Sequence, residues 1–491
     1  MGSSQRCGTQ TDTGASSALG RAACITWHGH SAGHLRWVLG LEQMDEGLRI
    51  AIIAGAVFVV LICANAGRGG ELKSPLAHGR FVLIYATDFG FQCFCPICSL
   101  LESVTYRFHY RPGGSIPTSR PNCGRREAPN CRASVSPDFP EIEELQAAHG
   151  AIDGDVYPFE PRRGLTNAHL QTIVGNFYPR PPFKCASISE TVEVDPANGS
   201  RVLCHCDWQP EPVRAVRLTV LLVHGLEGSS DSRYIRGIAA RAWDSGCNVI
   251  RMNMRNCGDT DNLTPTLYHS GLSADVGAVI RHYGELYGLE RVALVGYSMG
   301  GNLALKLAGE WGNRAPLCAV ATVCPAIDLA AGSDALHELA NRVYEWRFLR
   351  GLMRRFRRKA ALYPEIYGAG NVGPVRSLRE FDDKIVARYC GFRDADDYYY
   401  RAASARVVDR ISVPTLIVRA MDDPFIRITP ETHAALMANP HVTLLETRHG
   451  GHCAFLSRDR GEDIHWAEAT VMRYLLRVAG AQLATGLANG S

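Results

Sequence analysis

The stretch Val292-Ala293-Leu294-Val295-Gly296-Tyr297-Ser298-Met299-Gly300-Gly301 decides the fold. A short apolar run ends in glycine, a serine stands between small residues, and a helical pattern follows through residue 310. Such a tight strand-to-helix turn needs small neighbours, and it lifts the serine hydroxyl clear of the sheet. The bare G-x-S-x-G pattern is short enough to arise by chance, so its weight comes from that strand–turn–helix setting.

Similar apolar runs lie at 218–223 (LTVLLV), 248–254 (NVIRMNM), 319–323 (AVATV), 415–418 (TLIV) and 442–445 (VTLL). Helical patterns at 233–243, 272–287 and 464–476 separate or follow them. Short β-rich runs alternating with helices predict an α/β fold: a mostly parallel central sheet, buried on both faces by helices. In such sheets reactive groups gather where strands end and loops begin. Ser298 sits at such a point, and so do Asp422-Asp423-Pro424 after 415–418 and His449-Gly450-Gly451-His452 after 442–445.

A serine hydroxyl is a weak nucleophile and needs an adjacent base. The chain order serine, acid, histidine fits a Ser-acid-His constellation. Asp423, nine residues past the Pro414 that introduces its strand, is preferred to Asp422 and to Asp328. His452 is preferred as base, because the two glycines can carry the chain into the loop first; His449 is then a loop-packing side chain. His224-Gly225-Leu226-Glu227-Gly228 follows the run at 218–223. The backbone N–H groups of Leu226 and Met299 are the expected oxyanion hole, with His224 structural. No metal or organic cofactor is implied.

The whole chain has 491 residues, 46% apolar and 21% charged, with 52 Lys+Arg against 49 Asp+Glu. That balance excludes a mainly disordered or polytopic membrane chain. A net charge of +3 argues against nucleic-acid binding, which needs a strongly basic face. Eight of the 17 cysteines fall within residues 1–150 and the rest are scattered singly, so no disulfide framework is expected. Cys93, Cys95 and Cys98 cluster without the further ligands that a closed zinc site requires.

Residues 1–43 are Gly/Ser/Thr-rich and aperiodic, and are expected to be disordered; residues 71–150 receive no fold. Between them, residues 50–64 (IAIIAGAVFVVLICA) are uninterruptedly apolar. As a helix this run would span about 22 Å, short of the roughly 30 Å hydrocarbon core. The leading reading is a single anchor within 44–70, carried by residues 50–67, and hence a membrane location. The alternatives are a buried helix or a cleaved signal starting at Met44, and a cytoplasmic protein. The catalytic unit is expected over 151–480, with a cap at about 328–406. Within that cap, residues 347–360 (RFLRGLMRRFRRKA) hold seven positive residues, while apolar residues repeat at helical spacing. This predicts a cap helix with a solvated basic face; the sharper reading is a surface for anionic lipid headgroups. Tyr398-Tyr399-Tyr400 is read either as lining of an acyl pocket or as ordinary packing.

Taken together, several stretches resemble the YheT-like, or AB-hydrolase type 4, family of the α/β-hydrolase superfamily. They are Asn167-Ala168-His169-Leu170-Gln171-Thr172, His224 to Ser230, Arg255-Asn256-Cys257-Gly258, Tyr268-His269-Ser270-Gly271, Gly296 to Gly300, Ala420 to Phe425 and His449 to Phe455. The resemblance covers roughly residues 158–476. It implies an α/β-hydrolase fold with an inserted helical cap, and it places a triad on Ser298, Asp423 and His452. It implies a serine hydrolase of carboxylic esters, acting on lipid or shorter acyl esters; the alternative is an alcohol O-acyltransferase using the same residues. A catalytically inactive binding module is the reading from another class. Arg255 and Asn256 are expected to hold a loop near the site, and Cys257 to be buried packing.

Overall fold

A computed structural model describes residues 158–368, 370–458 and 463–489, together with the backbone of 83–87 and 90–94. The chain divides into two compact units, Met1–Pro137 and Asp138–Ser491. In the first, β1 (Leu83–Thr87) and β2 (Gly90–Phe94) pair antiparallel, inside the segment that carried no legible pattern. The expected anchor at 50–67 lies outside the described residues. Among the described residues no helix is long and apolar enough to cross a membrane.

The second unit is built on an eight-stranded sheet of order β10-β9-β8-β7-β5-β6-β4-β3. Strands β5 (Thr219–Val223), β6 (Asn248–Met252), β7 (Val292–Tyr297), β8 (Ala319–Val323), β9 (Thr415–Ala420) and β10 (Val442–Thr447) are parallel. An antiparallel pair, β3 (Ile188–Asp195) and β4 (Ser200–Asp207), extends one edge. The central strands β5 to β8 are buried along their whole length, which is why they read as continuous apolar runs.

Successive residues of β5 point to opposite faces. Leu221 and Val223 join one apolar core with α3 (Ser273–Tyr287) and α4 (Met299–Trp311). Val220 and Leu222 join a second with α2 (Arg233–Asp244) and the closing helix α9 (Trp466–Asn489). Two further helices outside the cap are α1 (Ala168–Phe177) before the sheet and α8 (Pro430–Ala438) between β9 and β10. The closing helix runs well past the position 476 read from periodicity.

Between β8 and β9 the chain makes α5 (Leu329–His337), α6 (Arg342–Leu362), a π-helical turn at Asp382–Ala387 and α7 (Ala395–Ala402). These elements form the cap. Leu352 and Phe356 of α6 enter the first core, as helical spacing predicts. The basic residues form a solvated surface only in part, because Lys359, seven residues on from Leu352, lies on the same inward face. Lys359 is fully buried, donating to the carbonyls of Asp261 and Thr264, and Arg358 pairs with Asp261 at 3.0 Å. Trp346 is 61% exposed, with Arg350 over its ring.

The sheet order places β5 beside β7, so the chain crosses over between them. The crevice above that switch point is where ligands bind in open α/β sheets.

Candidate active site

Ser298 stands at the turn from β7 into α4 with φ 53° and ψ −117°, outside the regions that L-residues prefer. Its neighbours explain the geometry. A Cβ on Gly296 would lie 2.2 Å from the Gly300 carbonyl oxygen, and one on Gly300 2.4 Å from that of Val223. Only glycine fits at either position. The turn is held by the Ser298 N–H donating to Val323 O at 3.0 Å, while its carbonyl accepts from Asn302 N at 3.1 Å and Ala326 N at 3.2 Å.

Of the candidate residues, Ser298, Asp423 and His452 meet. The Ser298 hydroxyl lies 3.0 Å from His452 Nε2, and Asp423 Oδ2 lies 2.8 Å from His452 Nδ1. Asp423 is buried, and its Oδ1 accepts from the N–H groups of Phe425 at 3.1 Å and Ile426 at 3.0 Å. Burial opposes its charge, but His452 and those two N–H groups outweigh it and hold the carboxyl below its usual range. At His452 burial likewise opposes charge. The Asp423 carboxylate overcomes it, raising the imidazole's proton affinity above that of an ordinary histidine. The Phe425 ring lies 4.3 Å from the imidazole.

The other candidates take different places. Asp422 Oδ1 accepts from Gly451 N at 2.9 Å, and its Oδ2 lies 3.4 Å from His449 Nδ1, so this pair braces the glycine turn. Asp328 caps α8 by accepting from Thr429 N at 2.8 Å and Thr432 Oγ1 at 2.9 Å. His224 accepts from Met254 N at 3.1 Å through Nε2, while Nδ1 lies 2.8 Å from Gly225 O. Burial lowers its pKa to about 4, so it is a neutral brace inside the loop. Arg255 grips Asp275 with two contacts of 2.6 Å, and Asn256 donates to Thr266 O, both holding loops as expected. Cys257 is fully buried with its pKa pushed up to about 12, a packing residue.

Leu226 and Met299 line the same cavity as Ser298. Met299 is the first residue of α4, where N–H groups have no intrahelical acceptor. The cavity runs under the cap and is largely apolar, with walls from Phe348, Leu352, Phe381, Val386 and Tyr398. Its polar lining includes His269, Ser270, Ser333 and Asp382; the last accepts from the Tyr399 hydroxyl at 2.7 Å, and burial pushes its carboxyl up to about 7. Tyr398 and Tyr399 line the cavity, whereas Tyr400 is 62% exposed.

Two supports were not legible as such. Gln171 on α1 is buried and both donates to Leu456 O and accepts from Leu456 N, each at 3.1 Å, while Thr172 Oγ1 accepts from His452 N at 2.8 Å. The Asn167–Thr172 motif therefore pins the His452 loop. Glu227, just after Leu226, accepts from Tyr268 OH at 2.9 Å and from Arg355 Nε at 3.1 Å, tying cap helix α6 to that loop. Its signal was the unusual basic content of α6, whose inner members had no partner visible in sequence.

Among the described residues one group of thiol and imidazole atoms could hold a metal ion: Cys324, His452 and Cys453.

A model of the alpha/beta hydrolase family matches residues 220–463. The chain is 33% identical to YheT of Escherichia coli strain K12, a candidate esterase, over 322 residues, or 65% of this chain and 92% of that protein. The chain belongs to the α/β-hydrolase family. Within it the YheT-like branch is the one it matches. It is also 30% identical over 243 residues to phospholipase ABHD3 of Mus musculus, covering 49% of this chain and 59% of that one. A third relative is medium-chain fatty acid ethyl ester synthase/esterase 2 of Saccharomyces cerevisiae, 26% identical over 302 residues, covering 55% of this chain and 65% of the yeast protein. For this α/β-hydrolase the matched region contains Ser298, Asp423 and His452 alike.

Proposed function

We propose that this α/β-hydrolase is a serine hydrolase of carboxylic esters whose acyl chain lies in the apolar cavity beneath the cap. The observation that carries this reading is the unbroken chain of contacts Asp423–His452–Ser298, at 2.8 and 3.0 Å, opening into that cavity. The esterase, phospholipase and ester synthase/esterase names of the relatives support it.

In the reaction Ser298 Oγ attacks the ester carbonyl while His452 Nε2 takes its proton. Asp423 keeps Nδ1–H pointed at itself and stabilises the imidazolium. The N–H groups of Leu226 and Met299 face the developing oxyanion; one such donor is worth about 3–4 kcal/mol. His452 then returns the proton to the leaving alcohol, and water, activated by the same imidazole, hydrolyses the acyl-enzyme. An alcohol that replaces water at that step gives a new ester, a second reading favoured by the dual name of the yeast relative.

A series of p-nitrophenyl esters of rising chain length tests the proposal. Hydrolysis by the parent, absent in Ser298→Ala, is expected, and Leu352→Trp should lower kcat/KM most for the longer chains. Equal rates in parent and Ser298→Ala contradict it. Ethanol added to the assay separates transfer from hydrolysis by the ethyl ester formed.

The outer face of α6 exposes Arg342, Arg347, Arg350, Arg354 and Arg357 beside Trp346. This face is our candidate for contact with an anionic membrane surface, from which a lipid ester would reach the cavity. Binding to phosphatidylserine vesicles that weakens in Arg347→Glu/Arg350→Glu is the expected result.

A further inference from the structure

The reaction above uses neither of two thiols that lie against its base. Cys324 directly follows β8 and is fully buried; Cys453 directly follows His452 and is half-buried. Cys453 Sγ lies 3.7 Å from His452 Nε2, and the ligand atoms of Cys324, His452 and Cys453 are all within 4.8 Å of one another. Asp423 occupies the other imidazole nitrogen, so Nε2 is the one that remains available. Both cysteines have positive φ, 45° and 58°, a conformation that favours glycine. The chain nevertheless places a thiol at each.

We propose that Cys324, His452 and Cys453 form an inhibitory site for a thiophilic divalent cation, Zn2+ above all, which switches the enzyme off by occupying the nitrogen that serves as its base. The inference rests on the hydrolase reading. Tetrahedral zinc binds sulfur at about 2.3 Å and imidazole nitrogen at about 2.0–2.1 Å, which sets the sulfur–nitrogen edge near 3.5 Å and the sulfur–sulfur edge near 3.8 Å. The 3.7 Å between Cys453 Sγ and His452 Nε2 already matches that edge. The remaining distances, all within 4.8 Å, close by at most about 1.3 Å, a side-chain adjustment.

On binding, each thiol releases its proton to solvent and the neutral imidazole gives its lone pair. Two thiolates then neutralise the cation, so no net charge is buried. Three protein ligands leave a fourth position for water or the Ser298 hydroxyl, which lies 3.0 Å from the same nitrogen. Hard cations such as Mg2+ prefer oxygen donors and find none in this set. With Nε2 ligated, Ser298 has no proton acceptor and the acyl-enzyme cannot form.

The test uses the full chain, kept reduced, stripped with EDTA and desalted. Zinc at micromolar concentration should abolish ester hydrolysis and fluorophosphonate labelling, Mg2+ should do neither, and EDTA should restore both. Relative to their own metal-free rates, Cys324→Ala and Cys453→Ala should each need at least tenfold more zinc for half-inhibition. Cobalt titration supplies a readout independent of activity. The parent should show a thiolate-to-metal charge-transfer band in excess of that of the double alanine variant, so that thiols elsewhere cancel in the difference. Cys453→Ser serves if an alanine variant is unstable. Equal zinc sensitivity in parent and double variant, or no cobalt difference spectrum, overturns the site. A protein that hydrolyses no ester yet gives the cobalt difference keeps the metal site and overturns the hydrolase reading instead.

Discussion

Two Asp–His pairs stand on the same two loops, after β9 and β10: Asp423 with His452, and Asp422 with His449. Residue types and spacing are alike, yet their settings differ. The Asp423 side chain is 2% exposed and that of His452 12%, against 21% and 36% for the other pair. Asp423 receives two backbone N–H groups on one oxygen and the imidazole on the other, which fixes both the carboxylate and the ring. The second pair is separated by 3.4 Å and serves the turn through Gly451 N. The contrast locates function in a third partner: only His452 has a free nitrogen aimed at a serine hydroxyl.

The sharpest break of this comparison exchanges the two histidines. His452→Ala should lower kcat for a p-nitrophenyl ester by a factor on the order of 10^4 or more, whereas His449→Ala should change it by less than about tenfold. Comparable losses in both would dissolve the distinction. Next come the acids. Asp423→Asn leaves the ring in place but removes the stabilising charge, and a loss of roughly 10^3–10^4 in kcat is expected, against less than about tenfold for Asp422→Asn.

A pH profile sharpens the comparison without deleting either pair. His452 acts as base only when neutral, and the Asp423 carboxylate raises its proton affinity. Activity should therefore fall as pH drops, with the acidic limb of kcat/KM above the ordinary histidine value of about 6.5. Residual activity of Asp423→Asn should show that limb at lower pH. A parent limb below about 6.5 counts against the pairing. The smallest effect is expected from the support beneath the loop. Gln171→Ala leaves Leu456 N unpaired and Leu456 O with the Arg162 N–H alone, and should cost about 1–3 kcal/mol of stability, read by denaturant unfolding, with kcat reduced less than in Asp423→Asn.

The same division between local and distant causes explains what could be read from the sequence. Strands β5 to β9 were legible because a strand buried on both faces reads as an apolar run, β10 because its residues 442–445 are mostly apolar although only Val442 is buried, and the elbow because its glycines and serine are consecutive. Strand β3 was not, since Ile188–Asp195 has only Val192 buried and carries Glu190 and Glu193. Helix α1 was visible only as a motif: its Gln171 and Thr172 are explained by partners about 285 and 280 residues away. In α6 periodicity gave the inward residues Leu352 and Phe356, but no local rule says that Arg355 meets Glu227 or that Lys359 is buried on two carbonyls. Cys453 adjoins His452 in the sequence, but Cys324, 129 residues before Cys453, joins them only once β8 and the last loop are assembled.

The central claim is that Ser298 is a nucleophile activated by His452. Intact-mass measurement of the full chain after exposure to a fluorophosphonate, followed by peptide mapping, tests it directly. One adduct per chain on Ser298, lost in His452→Ala, is the expected result. An unmodified parent, or an adduct at another residue that persists in Ser298→Ala, would contradict it.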